Sequence, residues 1–521
     1  TMVSALPKEP YVFLYSKKGV YSKIYKIDAR KLLPYKQRLS KLTIKDGGQF
    51  KAKNEVVSVA GYVIEWFLAM DGSPKAALHS IDNNLIKLNE FTDDNSLNET
   101  ELASWDWSEL KKIKENTSEK DTKLILPVSM SEQAGVFYSF DFNEDQKRTV
   151  YRSNYNTGEH DVVIKSNAYK IINLIQASDN RLIGVRVLKA GMPQTMFLEM
   201  MQGQKSPIKP IQELDIVIDS SLDKNTQVVY RESHNMPGRY FVKSPTGKES
   251  YIGSVYPNLD NKLQAQLIED EVVVEDMKIP YLLSMPTTAS KPWPLIVMPH
   301  GGPIGIFDNR YFNLTTQYLV SRGYAVLRVN FRGSGGYSEE LLEAGKKQFG
   351  NLILTDIHAA TKAVVARADI NADKVCIAGL SYGGYAAAML AIKQPDYYRC
   401  AVSIAGVSDV NLFLNSATIS EAQIRWSKEY IGDSSKEYDA LLAISPINYI
   451  QDLSRPILIM HGAKDTVVDI EHAYRMKLLL DKYNKTYEWY VEPEGEHHFN
   501  KPSDAQAMFD KMLTFIDAYI N

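Results

Sequence analysis

The sequence predicts an all-β domain with propeller-like strand spacing over residues 1–280, followed by a doubly wound α/β domain with a mostly parallel sheet over residues 281–521. Two observations predict this division. Before residue 280, short alternating apolar and polar runs are separated by turn residues, as in sheets with one solvated face. After about residue 290, continuously apolar runs alternate with amphipathic ones, which is typical of a parallel sheet covered by helices on both faces.

The bulk composition describes an ordinary globular protein. A chain of 521 residues has room for roughly two to four domains, and a hydrophobic content of 44% supplies a sizeable core. The net charge of −3 gives no electrostatic footprint for nucleic acid or an anionic membrane surface. No apolar stretch approaches the roughly 20 residues that span a bilayer, and the first residues do not resemble a signal peptide. We therefore expect a soluble protein, cytoplasmic or periplasmic, without nucleic-acid or membrane partners; homo-oligomerisation stays open.

The first part carries a loose repeat. Runs that resemble the opening strand of a propeller blade recur at "GYVIEWFLAMDG", "KLILPVSMS", "NRLIGVRVLKAG" and "TQVVYRES". Their period of roughly 45 to 60 residues is compatible with propeller blades. Residues 95–123, which are polar, interrupt the repeat and are predicted to form a partly helical excursion or a mobile loop.

The second part offers six apolar strands: "PLIVMPH", "YAVLRVNF", "KVCIAG", "AVSIAG", "PILIMHG" and "TYEWYVEP". Helical runs such as "LTDIHAATKAVVARAD" and "DAQAMFDKMLTFIDAYI" lie between and after them. The cysteines, Cys376 and Cys400, both lie in apolar strands. Two cysteines do not make a disulfide scaffold, and we expect two small buried side chains.

"GLSYGGY", residues 379–385, places Ser381 in a G-x-S-x-G frame directly after a predicted strand. An abrupt strand-to-helix turn strains the serine and leaves room only for small neighbours. The glycines would permit that turn, and the turn would lift the hydroxyl above the sheet. The following helix would point its N-terminus, with its partial positive charge, at the same place. Ser381 is therefore a candidate nucleophile.

Two further motifs end strands on the same edge of the sheet. Asp465 stands in "HGAKD", and His497 stands in "EGEHHF", where His498 is an alternative. The order Ser381, Asp465, His497 is the chain order of the serine, acid and base in α/β-hydrolases. His497 would take the serine proton and return it to the leaving group, while Asp465 would fix the histidine tautomer.

The glycine loop "PHGGP" ends the first apolar strand. Backbone N–H groups on such a loop can stabilise an oxyanion, because they are already oriented and glycine lets the substrate approach. The predicted donors are the N–H groups of Gly302 and Tyr382. His300 is interpreted as shaping the loop.

No cofactor or metal is expected. The glycines of "NFRGSGGYSEE" lack the third glycine of a dinucleotide loop and are interpreted as a turn near the site. Phosphate-loop, H-E-x-x-H and Cys/His cluster patterns do not occur in the sequence.

Taken together, "HGGP", "NFRGSGGY", "GLSYGGY", "HGAKD" and "EGEHHF" resemble the prolyl oligopeptidase family of serine peptidases, and most of all its acylaminoacyl-peptidase-like branch. The resemblance implies an α/β-hydrolase domain and a β-propeller that screens the active site from all but short peptides. It also implies that Arg425, in "NSATISEAQIRWSKEYIGD", grips a substrate carbonyl. About 270 residues is short for the family's usual seven blades, so we expect a reduced or incomplete propeller.

The expected activity is therefore hydrolysis of short peptides, of the oligopeptidase or acylaminoacyl-peptidase type. Dipeptidyl-peptidase relatives hold the substrate amino terminus with two adjacent glutamates, and residues 1–280 contain no such pair. Dipeptidyl-peptidase specificity nevertheless remains an alternative. A carboxylesterase with the same triad is another, and a binding protein with an inactive hydrolase domain is a third.

Overall fold

A computed structural model describes most of the chain. The residues that it does not describe are 1, 6–10, 19–20, 29–54, 61, 69–73, 81–84, 92–98, 107–124, 142–148, 166–169, 177–179, 181, 190–191, 198–213, 221–225, 260–262, 264, 417–420, 500–501 and 521. The described residues form two compact units: residues 1–188 with 193–207, and residues 189–192 with 208–521.

The first unit consists of antiparallel sheets whose strands follow one another in sequence order. The strands are β1 (Met2–Ala5), β2 (Tyr11–Lys18), β3 (Tyr21–Asp28), β4 (Glu55–Ala60), β5 (Tyr62–Leu68), β6 (Pro74–Ser80), β7 (Leu85–Phe91), β8 (Glu99–Asp106), β9 (Ile125–Met130), β10 (Val136–Asp141), β11 (Thr149–Asn154), β12 (Glu159–Lys165), β13 (Lys170–Gln176), β14 (Leu182–Lys189) and β15 (Met192–Phe197). They make four-stranded sheets β1–β4, β5–β8 and β9–β12 and a three-stranded sheet β13–β15.

Consecutive sheets of this unit pack face to face. Phe67 of β5 and Leu88 of β7 meet Phe137 of β10, and the rings of Phe67 and Phe137 lie edge to face with centroids 5.1 Å apart. Tyr138, also in β10, packs with Val185 of β14 on the next sheet. Successive residues of β10 thus enter two different cores, because neighbouring side chains of a strand point to opposite faces of the sheet.

The prediction of a partly helical excursion over residues 95–123 is wrong at its beginning. Glu99–Asp106 form β8, which pairs with β7 from Leu85 opposite Asp106 to Phe91 opposite Glu99. Leu102 and Trp105 pack against the Phe67 core, and this burial outweighs the polarity of the neighbouring residues. Residues 107–123 lie outside the described part.

The second unit contains one more antiparallel sheet and a large mixed sheet. The antiparallel sheet has strands β16 (Leu214–Ser220), β17 (Gln227–Ser233), β18 (Met236–Lys243) and β19 (Glu249–Ser254). The large sheet has strands β20 (Gln266–Val274), β21 (Met277–Met285), β22 (Trp293–Val297), β23 (Ala325–Val329), β24 (Ile370–Leu380), β25 (Cys400–Ile404), β26 (Ile457–Gly462) and β27 (Tyr487–Glu492).

The order of the large sheet is β20-β21-β23-β22-β24-β25-β26-β27. The pairs β20–β21 and β21–β23 are antiparallel, and the pairs from β23 to β27 are parallel. The carboxyl ends of β22 and of β24 to β27 therefore meet at one edge, where ligands gather in doubly wound sheets.

Helices cover both faces of this sheet. They are α1 (Leu314–Ser321), α2 (Glu339–Glu343), α3 (Leu352–Val365), α4 (Tyr382–Lys393), α5 (Val410–Leu414), α6 (Glu421–Tyr430), α7 (Tyr438–Ala443), α8 (Glu471–Lys482) and α9 (Pro502–Ile520), with 3₁₀ turns at Pro257–Leu259 and Pro446–Asp452. Ile377 of β24 faces α3 and α4, while Ala378 faces α1 and α9. The predicted doubly wound, mostly parallel α/β arrangement is present.

Strand β20 precedes the boundary predicted at residue 280, yet it belongs to the large sheet, where Gln266 pairs with Met285. Its sequence, QLIEDEVVV, does not alternate regularly between apolar and polar residues and therefore does not assign the strand to either sheet. The division of the chain at residue 280 stays a prediction.

Cys376 and Cys400 are fully buried, as expected, but they are not separate side chains. They lie directly opposite each other on the parallel strands β24 and β25, with Cα atoms 4.8 Å apart, and form a disulfide. The prediction of two small buried side chains was correct about their burial but missed the bond between them, because sequence alone does not reveal the register of neighbouring parallel strands.

Within the described residues, no helix combines the length and the apolar character needed to cross a membrane.

Candidate active site

Ser381 stands at the sharp junction between β24 and α4. Its φ of 59° and ψ of −118° lie outside the regions that a non-glycine residue normally adopts. The residue remains partly exposed, whereas the Tyr382 that follows it is buried. This is the strained elbow predicted from the G-x-S-x-G frame, and it presents the hydroxyl at the N-terminus of α4.

The glycines around Ser381 allow backbones to approach one another closely. A Cβ atom on Gly379 would lie 2.5 Å from the carbonyl carbon of Gly383, and one on Gly384 would lie 2.9 Å from the carbonyl oxygen of Ile404. A Cβ on Gly383 would overlap the carbonyl oxygen of Pro299. The spacing of the motif therefore follows from the packing of α4 against β22 and β25.

Asp465 and His497 meet at the ends of β26 and β27. The Nδ1 atom of His497 lies 2.7 Å from Oδ2 of Asp465, and both side chains are buried. The other carboxylate oxygen, Oδ1, accepts hydrogen bonds from the N–H groups of Val467 at 2.8 Å and Val468 at 2.9 Å. The carboxylate orientation is thus fixed by its own loop.

This geometry sets the protonation state of the pair. Burial opposes ionisation of Asp465, but the neighbouring His461 and His497 rings and the hydrogen bond from the Val468 N–H outweigh it and hold the pKa of the carboxyl well below its usual value. An ionised carboxylate only accepts, so Nδ1 of His497 carries a proton and donates it to Asp465. A ring that carries only this proton has a lone pair on Nε2.

His461 is a member of this site to which the sequence analysis gave no role. Its Nε2–H donates to the carbonyl oxygen of Val468 at 2.8 Å and lies 3.4 Å from Oδ2 of Asp465. The signal was present in the motif "HGAKD", four residues before the aspartate. His461 braces the loop that carries Asp465.

The glycine loop after β22 lies beside Ser381. A Cβ on Gly301 would lie 3.6 Å from Cβ of Ser381, and Gly302 has a φ of 119° that favours glycine. Tyr382 turns its side chain into the core, where its hydroxyl donates to the Phe349 carbonyl at 2.6 Å. Its N–H is one of the first of α4, and such N–H groups have no partner within their helix. The loop that contains Gly302 and the first residue of α4 thus both adjoin Ser381.

His300 supports this loop, as interpreted from the sequence. Its Nδ1–H donates to the Gly301 carbonyl at 2.8 Å, so Nε2 accepts from the Ser334 hydroxyl at 2.9 Å. Its ring stacks on Phe331 with centroids 4.1 Å apart. Burial lowers the pKa of His300 and keeps the ring neutral.

The structure brings together some predicted residues and leaves others apart. It pairs His497, and not the exposed His498, with Asp465. Among the hydrogen bonds of the described residues, none joins Ser381 to His497; such bonds often form only when substrate is bound. Arg425 belongs to α6, but its side chain lies outside the described part.

The loops that carry Asp465 and His497 are held together by their backbones. Ala463 N–H donates to the Glu492 carbonyl at 2.9 Å, and Lys464 N–H donates to the Gly495 carbonyl at 2.8 Å. Gly462 fits closely against the histidine loop, since a Cβ atom on Gly462 would lie 2.5 Å from the carbonyl oxygens of both Gly495 and Glu496. A side chain at Gly462 would push the histidine loop away from Asp465.

We therefore expect Gly462→Ala to lower kcat about 100-fold with little change in KM, because a displacement of about 1 Å at a reacting group can cost that much. Steady-state kinetics with a chromogenic peptide would measure both constants. Gly253→Ala is the matched control, since a Cβ on Gly253 meets nothing within 4 Å. Equal kcat values for the two variants would contradict the positioning role of Gly462.

Comparison with known proteins places this geometry in context. A model of the prolyl oligopeptidase family matches residues 310–521. The chain is 28% identical over 302 residues to Dipeptidyl aminopeptidase BIII of Pseudoxanthomonas mexicana, covering 55% of this chain and 43% of that protein. It is 26% identical over 368 residues to Acylamino-acid-releasing enzyme 1 of Oryza sativa subsp. japonica, covering 61% of this chain and 46% of that protein. The chain thus spans less than half the length of these two relatives.

A solved structure is similar over almost the whole chain. The acylaminoacyl peptidase of Pyrococcus horikoshii superposes with a TM-score of 0.70 at 16% identity, covering 96% of this chain and 74% of that chain. At this level of identity the similarity shows the fold. It confirms an α/β-hydrolase domain together with an N-terminal β domain.

Proposed function

We propose that this chain, whose residues 310–521 match the prolyl oligopeptidase family, is a serine peptidase that hydrolyses short peptides through an acyl-enzyme. The observation that carries the proposal is the buried hydrogen bond of 2.7 Å from His497 Nδ1 to Asp465, because it leaves Nε2 as a base. A serine hydroxyl reacts only when a base takes its proton during attack, and the elbow at Ser381 supplies that serine.

In this proposal Ser381 Oγ attacks the scissile carbonyl while its proton moves to Nε2 of His497. The N–H groups of Gly302 and Tyr382 donate to the oxyanion that forms. His497 then gives the proton to the leaving nitrogen as the C–N bond breaks, which leaves an acyl ester on Ser381. Water, activated by the same histidine, hydrolyses that ester. Asp465 stays ionised and stabilises the imidazolium in both halves of the reaction.

The N-terminal sheets would restrict access to this site. The sheets that begin with β1, β5, β9, β13 and β16 start at residues 2, 62, 125, 170 and 214, a repeat that supports propeller blades. We infer that residues 1–280 form a reduced or incomplete propeller and residues 281–521 a catalytic domain, and that the propeller keeps folded proteins from the catalytic residues. Arg425 of α6 would bind a carbonyl of the substrate.

The names of the relatives indicate different specificities, since one is a dipeptidyl aminopeptidase and the other an acylamino-acid-releasing enzyme. Residues 1–280 contain no adjacent glutamates, which favours cleavage that does not depend on a free amino terminus. The proposed specificity is therefore for short peptides with blocked N-termini.

The test uses two peptide 4-nitroanilides of identical sequence, one N-acetylated and one with a free amino terminus. We expect labelling of Ser381 by a fluorophosphonate, located by peptide mapping, and a higher kcat/KM for the acetylated substrate. A folded protein that is not labelled would refute the serine hydrolase. A strong preference for the free amino terminus would refute the acyl-peptide specificity, and turnover restricted to a matched ester would favour the carboxylesterase.

A further inference from the structure

A cavity of about 290 Å³ lies at the carboxyl edge of the large sheet, on the face covered by α1 and α9. Its inner wall consists of Met298, Leu380 and Ile404 at the ends of β22, β24 and β25. Ala505, Met508 and Met512 line it from α9, and their spacing of three and four residues places them on one face of that helix.

The cavity adjoins the two loops that carry the candidate nucleophile and base. Leu380 immediately precedes Ser381, and His498 and Phe499 immediately follow His497. The cavity wall is therefore continuous in sequence with both residues.

The position of the cavity relative to His497 indicates which part of a peptide substrate would enter the cavity. The nitrogen that leaves must receive its proton from Nε2 of His497, so the leaving peptide departs on the histidine side of Ser381. The cavity is bounded on that side by the residues that follow His497. The acyl part, whose carbonyl oxygen faces Gly302 and Tyr382, lies on the other side of the scissile bond.

We propose that this cavity binds the side chain of the first residue of the leaving peptide and selects an apolar side chain there; the inference rests on the proposed peptidase function. The thirteen lining residues include no Asp, Glu, Lys or Arg. Entry of a charged side chain would remove it from water without a partner, which is strongly unfavourable.

Size and composition agree with this ligand class. An apolar cavity of about 150 Å³ holds a benzene ring, so the present volume accommodates a leucine, methionine or phenylalanine side chain. Three methionines line the cavity, and their flexible side chains adapt to ligands of different shape. We expect kcat/KM to favour leucine over glycine at this position by about 10- to 100-fold.

The experiment uses internally quenched peptides that share one acyl part and differ only in the first leaving residue, leucine or glycine. Wild-type protein should show the 10- to 100-fold ratio of kcat/KM. Ala505→Phe, which fills the cavity, should bring the ratio close to one. Gln506→Phe is the matched control, because Gln506 is exposed on the same helix and does not line the cavity; it should keep the wild-type ratio.

A second measurement needs no variant. During turnover of one ester substrate, added L-leucinamide and glycinamide compete with water for the acyl-enzyme. The amine nitrogen bonds to the acyl carbon, the ester bond to Ser381 Oγ breaks, and His497 passes the amine proton to that oxygen. Leucinamide should capture the acyl group at least about tenfold more efficiently than glycinamide if its side chain enters the cavity.

The outcomes separate this inference from the function on which it rests. Equal cleavage of the leucine and glycine peptides by labelled, active protein would overturn the cavity assignment and leave the peptidase standing. A folded Ala505→Phe protein with an unchanged ratio would do the same, and so would equal capture of the two amides. Absence of both labelling and turnover would overturn the peptidase function together with the inference.

Discussion

Replacement of Ser381 by alanine is expected to lower kcat by about a millionfold, the loss that removal of a nucleophile causes in other serine peptidases. The substitution removes the hydroxyl group and leaves the rest of the residue unchanged. Alanine has a Cβ atom like serine, so the backbone at φ 59° is equally strained in the variant and the elbow has no reason to relax. Substrate binding and the oxyanion donors should survive, which leaves a small residual acceleration over the reaction in water.

The measurement is single-turnover and steady-state hydrolysis of an N-acetylated peptide 4-nitroanilide, together with fluorophosphonate labelling. Ser321→Ala is the matched control, because Ser321 is an exposed residue whose hydroxyl donates to the Tyr318 carbonyl at the end of α1. A Ser381→Ala preparation that is free of wild-type protein and retains more than a thousandth of the kcat would disprove the nucleophile assignment.

The sequence could predict the candidate site because each of its groups follows a strand. Parallel strands bring their carboxyl ends to one edge, so Ser381, Asp465 and His497 are expected to lie near one another once the strands are recognised. The choice between His497 and His498 could not be made in this way. It depends on which ring faces Asp465 after β27 ends, and that is a matter of three-dimensional loop geometry.

Other features depend on register, which a single sequence does not specify. The disulfide between Cys376 and Cys400 requires β24 and β25 to be neighbours with these two positions opposite each other. The close fit of Gly462 against Gly495 likewise requires two loops from different strands to meet. Apolar runs predict that strands exist, but pairing and register follow from tertiary packing.

The dependence of strand pairing on tertiary packing also explains why some strands in the β-rich first part of the chain were predicted and others were missed. Runs such as "GYVIEWFLAMDG" predicted strands that are present, here β5. The strand β8 was missed because its sequence is rich in polar residues, and its pairing with β7 becomes evident only when Leu102 and Trp105 reach a core. Whether such a segment forms a strand depends on the core that another sheet offers to its apolar side chains, and not on its local composition.

Replacement of Asp465 by asparagine is expected to lower kcat about 10⁴-fold although it changes neither size nor shape. The N–H groups of Val467 and Val468 both donate to Oδ1, so the oxygen of the new amide must stay there. The NH₂ group then takes the place of Oδ2 and faces Nδ1 of His497 as a donor. Nδ1 must become the acceptor, and the ring proton moves to Nε2.

An imidazole protonated at Nε2 cannot take the Ser381 proton, which is the physical reason for the loss. Asp469→Asn is the matched control, since Asp469 lies exposed in the same loop and accepts from the Glu471 N–H at 2.8 Å. If Asp465→Asn lowered kcat less than tenfold, Asp465 would not orient the base.

Because Ser381, His497 and Asp465 are proposed to act as a unit, adding Asp465→Asn to Ser381→Ala should cause almost no further loss of kcat. Independent roles would instead multiply the two losses.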